Sequence, residues 1–319
     1  MRKIVIDSTI EGYADEYYAE LKAKSIISRI ESALDDLVSE VQDTKDGRYA
    51  KFLNHIKANL ETIIKKHPKD YQSLIDEFEK FHCSLRMKKW HPKNKLSFAE
   101  RIVDALSYKS IRKSIFPKYI KKLQIKTCVY CNTQYAITTG EDSDMSAYYE
   151  LDHAWPKAEY PFLAISFFNL QPCCGPCNKR KSNTGQPYTI YAEQPTPSSV
   201  NFRIDEASLA LYDMSHNEND LKIKLSVQDS NLELLYNRIG VPNLYSKLND
   251  EAEELVWKKK IYNHSYIRQL TNTYNNIFRR YSIDFYRLLF GMYIEEENVY
   301  ARPLTKMKQD IARQLNLIR

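Results

Sequence analysis

Glycine is scarce in this chain, with seven among 319 residues. So little of the residue that populates turns and left-handed backbone argues for a helix-dominated protein. Nowhere do eighteen apolar residues run together, which excludes a helix spanning a bilayer. The start, Met1 to Asp7, lacks a long apolar stretch followed by a small-residue cleavage site, so no secretory leader is read there. These absences point to a soluble, cytoplasmic protein with no membrane partner. No internal repeat recurs, and at 43% hydrophobic the chain can bury one or two real cores. Its six cysteines, in a reducing compartment, read as metal ligands and buried thiols rather than disulfides.

What is present is unevenly distributed. The net charge of +6 conceals a basic stripe between residues 84 and 126, where thirteen Lys/Arg face only Glu100 and Asp104. Trp90, Phe98, Ile115, Phe116, Tyr119 and Ile120 interleave with Arg112, Lys113, Lys118, Lys121 and Lys122. Such a pattern suits a solvated helix surface, or a cationic face that tracks a phosphate backbone.

Three regions follow from periodicity. Residues 1–126 are helical: Ile26, Ile27, Ile30, Leu34, Leu37, Val38 and Val41, then Phe52, Leu53, Ile56, Leu60, Ile63 and Ile64, recur at helical spacing. Ser97 with Glu100 has the spacing of a capping box and starts another helix. Residues 127–190 are a cysteine-bounded module, in which Gly140 with Glu141, Asp142 and Asp144 reads as an exposed turn. Residues 191–319 open on a Pro/Ser connector. Two alternating strands follow, Val200/Phe202/Ile204 and Leu221/Ile223/Leu225/Val227, and then helices resume: Leu248 to Tyr262, a long Tyr-rich one reaching Leu288, and a last one after Pro303.

The cysteine module carries the chemistry. Cys128-x-x-Cys131 and Cys174-x-x-Cys177 each fold as a knuckle presenting two thiolates, and two knuckles close a four-sulfur structural Zn²⁺ site. Between them lies Asp152-His153, and the second pair runs into Asn178-Lys179-Arg180-Lys181. The ordered set Cys128-x-x-Cys131, Glu150-Leu151-Asp152-His153-x-x-Pro156-Lys157, Phe168-Asn169-Leu170-Gln171-Pro172 and Cys174-x-x-Cys177-Asn178-x-x-Lys181 resembles the zinc-bearing branch of the HNH endonucleases. The flanking helices lie outside the resemblance. The fold it implies is α+β and mostly helical, with a ββα-metal core stapled by the four-cysteine zinc site and flanked by the helical N-terminal and mixed C-terminal regions.

The resemblance implies hydrolysis of DNA phosphodiester bonds, with RNA not excluded as substrate. Such a reaction needs an activated water, a cation, and groups that hold the phosphate in line. His153 takes the part of general base. Asp152 and Asn178 hold a divalent ion, Mg²⁺ or Mn²⁺ rather than a second zinc, because carboxylate and amide oxygens are hard donors. Asn169 steadies the loop carrying the base. Lys181 meets a phosphate, with Lys179, Arg180 and Lys157 as further phosphate contacts. For Asp152 and His153 to face one phosphate, their strand must end or bulge between them.

Glu150 either supports the metal or pairs with a nearby lysine. Cys173 and Cys83 read as small buried hydrophobes, and His55, His67, His82, His91, His216 and His264 as ordinary surface or core residues. The layout is similar to HNH effector subunits of bacterial anti-phage systems such as Septu, which work beside an ATPase subunit. A different class stays open: a non-catalytic zinc-stapled module that binds nucleic acid or protein.

Overall fold

The computed structural model describes residues 1–41, 47–85, 96–141, 144–182 and 187–318. Trp90, His91, Asp142, the basic-stripe residues Arg86, Lys88, Lys89, Lys93 and Lys95, and the side chain of His264 lie outside that description. The chain forms two compact units, each discontinuous in sequence: Lys3–Ile125 with Ala136–Thr196, and Met1–Arg2 with Lys126–Tyr135 and Pro197–Arg319. Helices dominate, and no described helix is long and apolar enough to cross a membrane.

The first unit runs β1 (Ile4–Val5), α1 (Ser8–Ala23), α2 (Ile26–Glu40), α3 (Arg48–Ala58), α4 (Leu60–Lys65) and α5 (Tyr71–Glu79). It continues with α6 (Phe98–Ala105), α7 (Tyr108–Ser114), α8 (Phe116–Lys122), β2 (Ile137–Thr139) and β3 (Ser146–Tyr148), then β4 (Glu150–His153), β5 (Leu170–Cys173), α9 (Gly175–Lys181) and β6 (Tyr191–Ala192). Local chemistry explains the helix starts. Asp7 accepts from the N–H groups of Thr9 and Ile10 at α1, and Ser97 and Glu100 form both halves of the expected capping box at α6. On α2, Ile26, Ile27, Ile30, Leu34 and Leu37 are all buried, as their spacing requires.

The core of this unit is aromatic. Tyr17 of α1 packs edge-on against Phe116 and Tyr119 and reaches Phe167, while its hydroxyl donates to the Ile165 carbonyl at 3.1 Å. Tyr71 of α5 pairs with the Ser166 hydroxyl at 2.7 Å and lies edge-on to Trp155. The helices are therefore packed around the 154–170 loop, which they hold from several sides. Within the same unit β4 and β5 pair antiparallel, with Asp152 opposite Gln171 and His153 opposite Leu170, and α9 follows directly.

The second unit contains β7 (Val200–Ile204), α10 (Glu206–Ser215), β8 (Ile223–Val227), α11 (Ser230–Ile239), α12 (Val241–Tyr245) and α13 (Asn249–Ile261), then α14 (His264–Arg280), α15 (Phe285–Phe290) and α16 (Thr305–Gln314). Strand β7 alternates buried and exposed as its sequence does, and pairs antiparallel with β8. Its edge is met by α16: Asp310 accepts from the Phe202 N–H and Gln314 from that of Ile204. The Tyr-rich stretch breaks into α14 and α15, with Ser282 left-handed at φ 50° between them. Apolar spacing runs across that break and does not register it.

Candidate active site and metal centre

One pocket of the first unit, about 130 Å³, is lined by Asp152, His153, Pro156, Lys157, Asn178 and Lys181, with Tyr108 and Arg112 from α7. Strand β4 carries Asp152 and His153, and pairing runs on through His153 opposite Leu170, so the strand ends after His153 rather than between the two. Both still line this pocket.

The His153 ring is buried, 4.7 Å from the Tyr108 ring, with Nε2 2.9 Å from the Ala164 carbonyl oxygen. A carbonyl can only accept, so Nε2 carries the hydrogen and Nδ1 keeps its lone pair. Burial first, and the neighbouring charge of Lys157 second, push its pKa down to about 3. The imidazole is neutral at ordinary pH.

Asn169 has no exposed surface. Its Oδ1 accepts from the Trp155 N–H at 2.7 Å, and its Nδ2 donates to the carbonyls of Trp155 and Leu163 at 3.1 and 3.0 Å. One amide thus spans the loop that leaves the His153 strand. Asn178 sits on α9, partly exposed, and its side chain makes no hydrogen bond among the described residues.

The cations sort into distinct groups. Lys181 is buried, with Nζ 2.9 Å from Asp152 Oδ2 and 2.8 Å from the His153 carbonyl oxygen, so it fixes the carboxylate from below rather than standing open to a phosphate. Lys157 lies 4.3 Å from the centre of the Tyr108 ring. Lys179 and Arg180 are exposed on α9 and do not line the pocket.

Arg112 is 3.5 Å from Glu150, so the cation beside this glutamate is an arginine of α7 and not the expected lysine. Among the described residues of the basic stripe, several cations are paired off: Lys118 with Glu20, Lys122 with Glu16, Lys109 with Asp104 and Arg101 with Glu40. The first two pairs brace α8 against α1, so that helix is not a wholly open cationic face.

The four sulfurs of Cys128, Cys131, Cys174 and Cys177 are buried and lie within 4.8 Å of one another. Four thiolates at Zn–S ≈ 2.3 Å stand roughly 3.8 Å apart in a tetrahedron, so the set fits Zn²⁺. Each knuckle has its own brace. The Cys128 carbonyl accepts from the Asn132 N–H at 2.9 Å, Asn132 is left-handed at φ 53°, and its buried amide bonds Thr127 and Val299. Cys174 precedes α9 and its carbonyl accepts from the Asn178 N–H at 3.0 Å. Cys173 is fully buried, and burial pushes its thiol well above the ordinary range, as expected of a packing residue.

For a divalent ion in the pocket, the donor chemistry fits one case. Asp152 and Asn178 offer one carboxylate and one amide, hard oxygens that suit Mg²⁺, which keeps waters and uses few protein ligands. Among the described residues, the cysteine set is the one group of three or more His, Cys, Asp or Glu donors close enough to share an ion. A larger cavity, about 690 Å³, is lined among the described residues by three acids, Asp76, Glu79 and Glu159, with Lys80 as the one lysine and His82 beside it, so its carboxylates outnumber its cations and disfavour a phosphate diester.

Tyr108 and Arg112 were not singled out as site residues by the sequence. The basic stripe, of which Arg112 is a member, was the only hint, and it did not separate Arg112 from its other cations. No family model, no curated protein and no solved structure matches the chain.

Proposed function

We propose that this pocket is the active site of an HNH-type, metal-dependent endonuclease that hydrolyses phosphodiester bonds of DNA. The observation that carries this reading is the convergence of Asp152, His153 and Asn178 with Arg112, Lys157 and Lys181 on one small pocket. The strand–strand–helix order of β4, β5 and α9 supports it, as does the cysteine centre beside that helix in sequence.

Each side chain has a role that its surroundings permit. His153, with Nε2–H committed to Ala164, accepts the proton of the attacking water at Nδ1. Its depressed basicity rises when an anionic diester enters, since the substrate offsets the charge of Lys157 that now disfavours the imidazolium. Asn169 holds the loop so that the ring keeps its aim. Asp152 and Asn178 would hold Mg²⁺ or Mn²⁺, which when bound supplies Lewis-acid stabilisation of charge on the phosphoryl oxygens. Lys181 fixes the Asp152 carboxylate, and Arg112 draws in the diester. The zinc centre stiffens the scaffold and takes no part in hydrolysis.

The rival reading is a zinc-stapled binding module. It would need the cysteines and a basic surface, but not a neutral, partly freed imidazole beside a fixed carboxylate. Plasmid DNA, single-stranded DNA and RNA incubated with Mg²⁺ or Mn²⁺ separate the two: wild type is expected to nick or cut, and His153→Ala to lose roughly 10²–10⁴-fold. Equal cleavage by both proteins ends the catalytic assignment.

A further inference from the structure

We infer that Lys157 is the general acid of the reaction proposed above, donating an Nζ proton to the departing oxygen while His153 takes one from water. The inference rests on the nuclease reading and adds a residue role to it. Lys157 lines the same pocket as His153, half-buried against the Tyr108 ring at 4.3 Å. It forms no hydrogen bond or ion pair among the described residues. Lys181, by contrast, is pinned on Asp152 and the His153 carbonyl, and Lys118 and Lys122 of α8 are engaged with acids of α1. A half-buried ammonium held only by an aromatic face keeps its three N–H bonds available to a ligand.

The groups around Lys157 favour proton release. Arg112 and Lys109 on α7 oppose its charge, Asp104 on α6 and Asp152 on β4 support it, and burial is the largest influence, so its pKa lies below that of an ordinary lysine. Lys181 completes the charged lining, beside the neutral ring of His153. The balance is simple. Water oxygen bonds to phosphorus as its proton passes to His153 Nδ1. The opposite P–O bond breaks, and its electron pair takes the Lys157 proton, giving an alcohol. Transfer of the His153 proton to Lys157 through solvent restores the site.

The test compares oxygen and sulfur leaving groups. After the wild-type cleavage position is mapped, duplexes are made with the bridging oxygen there replaced by sulfur, on either the 3′ or the 5′ side. A thiolate departs without a proton. On the all-oxygen duplex, Lys157→Ala and Lys157→Arg are each expected to lose about 100-fold, the arginine because it keeps charge but does not ionise. On the duplex whose leaving atom is sulfur, both are expected to come within about tenfold of wild type.

Equal losses on oxygen and sulfur, or full activity of Lys157→Arg on oxygen, would overturn the inference. The arginine arm decides alone if the sulfur duplexes resist every protein, and thermal melting checks that both variants fold. His153→Ala runs alongside. Its inactivity leaves the nuclease reading intact whatever Lys157 does, whereas wild-type rates in that variant remove the reading itself.

Discussion

At the scale of single residues, the arrangement depends on burial more than on identity. His153 is 5% exposed, and its imidazolium would have to form beside Lys157 in a desolvated pocket. Its folded pKa of about 3 lies below the ordinary value of 6.5, so below pH 6.5 the unfolded chain binds the proton more readily. The stability this histidine contributes is complete above that pH and is lost as pH falls toward 3. Urea denaturation of wild type and His153→Gln from pH 7.5 to 4.5 is expected to show the gap between them shifting against wild type with acid. A gap independent of pH would mean that the ring is not held neutral. Asp152-His153 was conspicuous in the sequence, but the protonation of His153 was not, because burial, the charge of Lys157 and the Ala164 carbonyl set it.

At the scale of elements, backbone chemistry was the most readable part. Ser97 and Glu100 announced α6, and alternation announced β7, because a cap or a buried face is written in residues a few positions apart. Gly140, between β2 and β3, belongs to the same class. It is left-handed at φ 78°, and a Cβ there would clash with the Asp144 carbonyl oxygen. Gly140→Ala is expected to destabilise by more than about 1 kcal/mol. Gly12, inside α1 with nothing within 4 Å of an added Cβ, should do the reverse. Gly12→Ala is expected to stabilise by roughly 0.5–1 kcal/mol, through lower backbone entropy in the unfolded chain. Chemical denaturation of both variants checks the pair, and the opposite ordering would contradict the described turn. The break between α14 and α15 was not legible, since the tyrosine and isoleucine spacing continues across Ser282.

For the molecule as a whole, the cysteine centre is the feature with the largest expected energetic weight. Metal analysis of the purified protein should find about one zinc per chain, and Cys128→Ser or Cys177→Ser should lower that content together with the melting temperature. Structural zinc binds small finger peptides with roughly 10–16 kcal/mol of apparent free energy, so loss of a ligand ranks above any single core substitution. A metal-free protein with an unchanged melting temperature would contradict the assignment. The helices of the first unit hold the pocket's strand and loop, since Tyr17, Tyr71 and Tyr108 bond the carbonyl of Ile165, the hydroxyl of Ser166 and the carbonyl of Leu151.

The sequence alone determined the paired thiols, the Asp-His dipeptide, the loop asparagine and the helical cast of the chain. Each is local chemistry, carried by spacings that a strand, a knuckle or a helical turn imposes on near neighbours. Tertiary structure alone decided which charges meet. It sends Lys181 to Asp152 and leaves Lys157 over a tyrosine ring, it brings Arg112 from α7 to the pocket, and it neutralises α8 against α1. Coulomb and desolvation energies depend on distance and burial in space, and residues forty or a hundred positions apart carry no mark of either until the chain has folded.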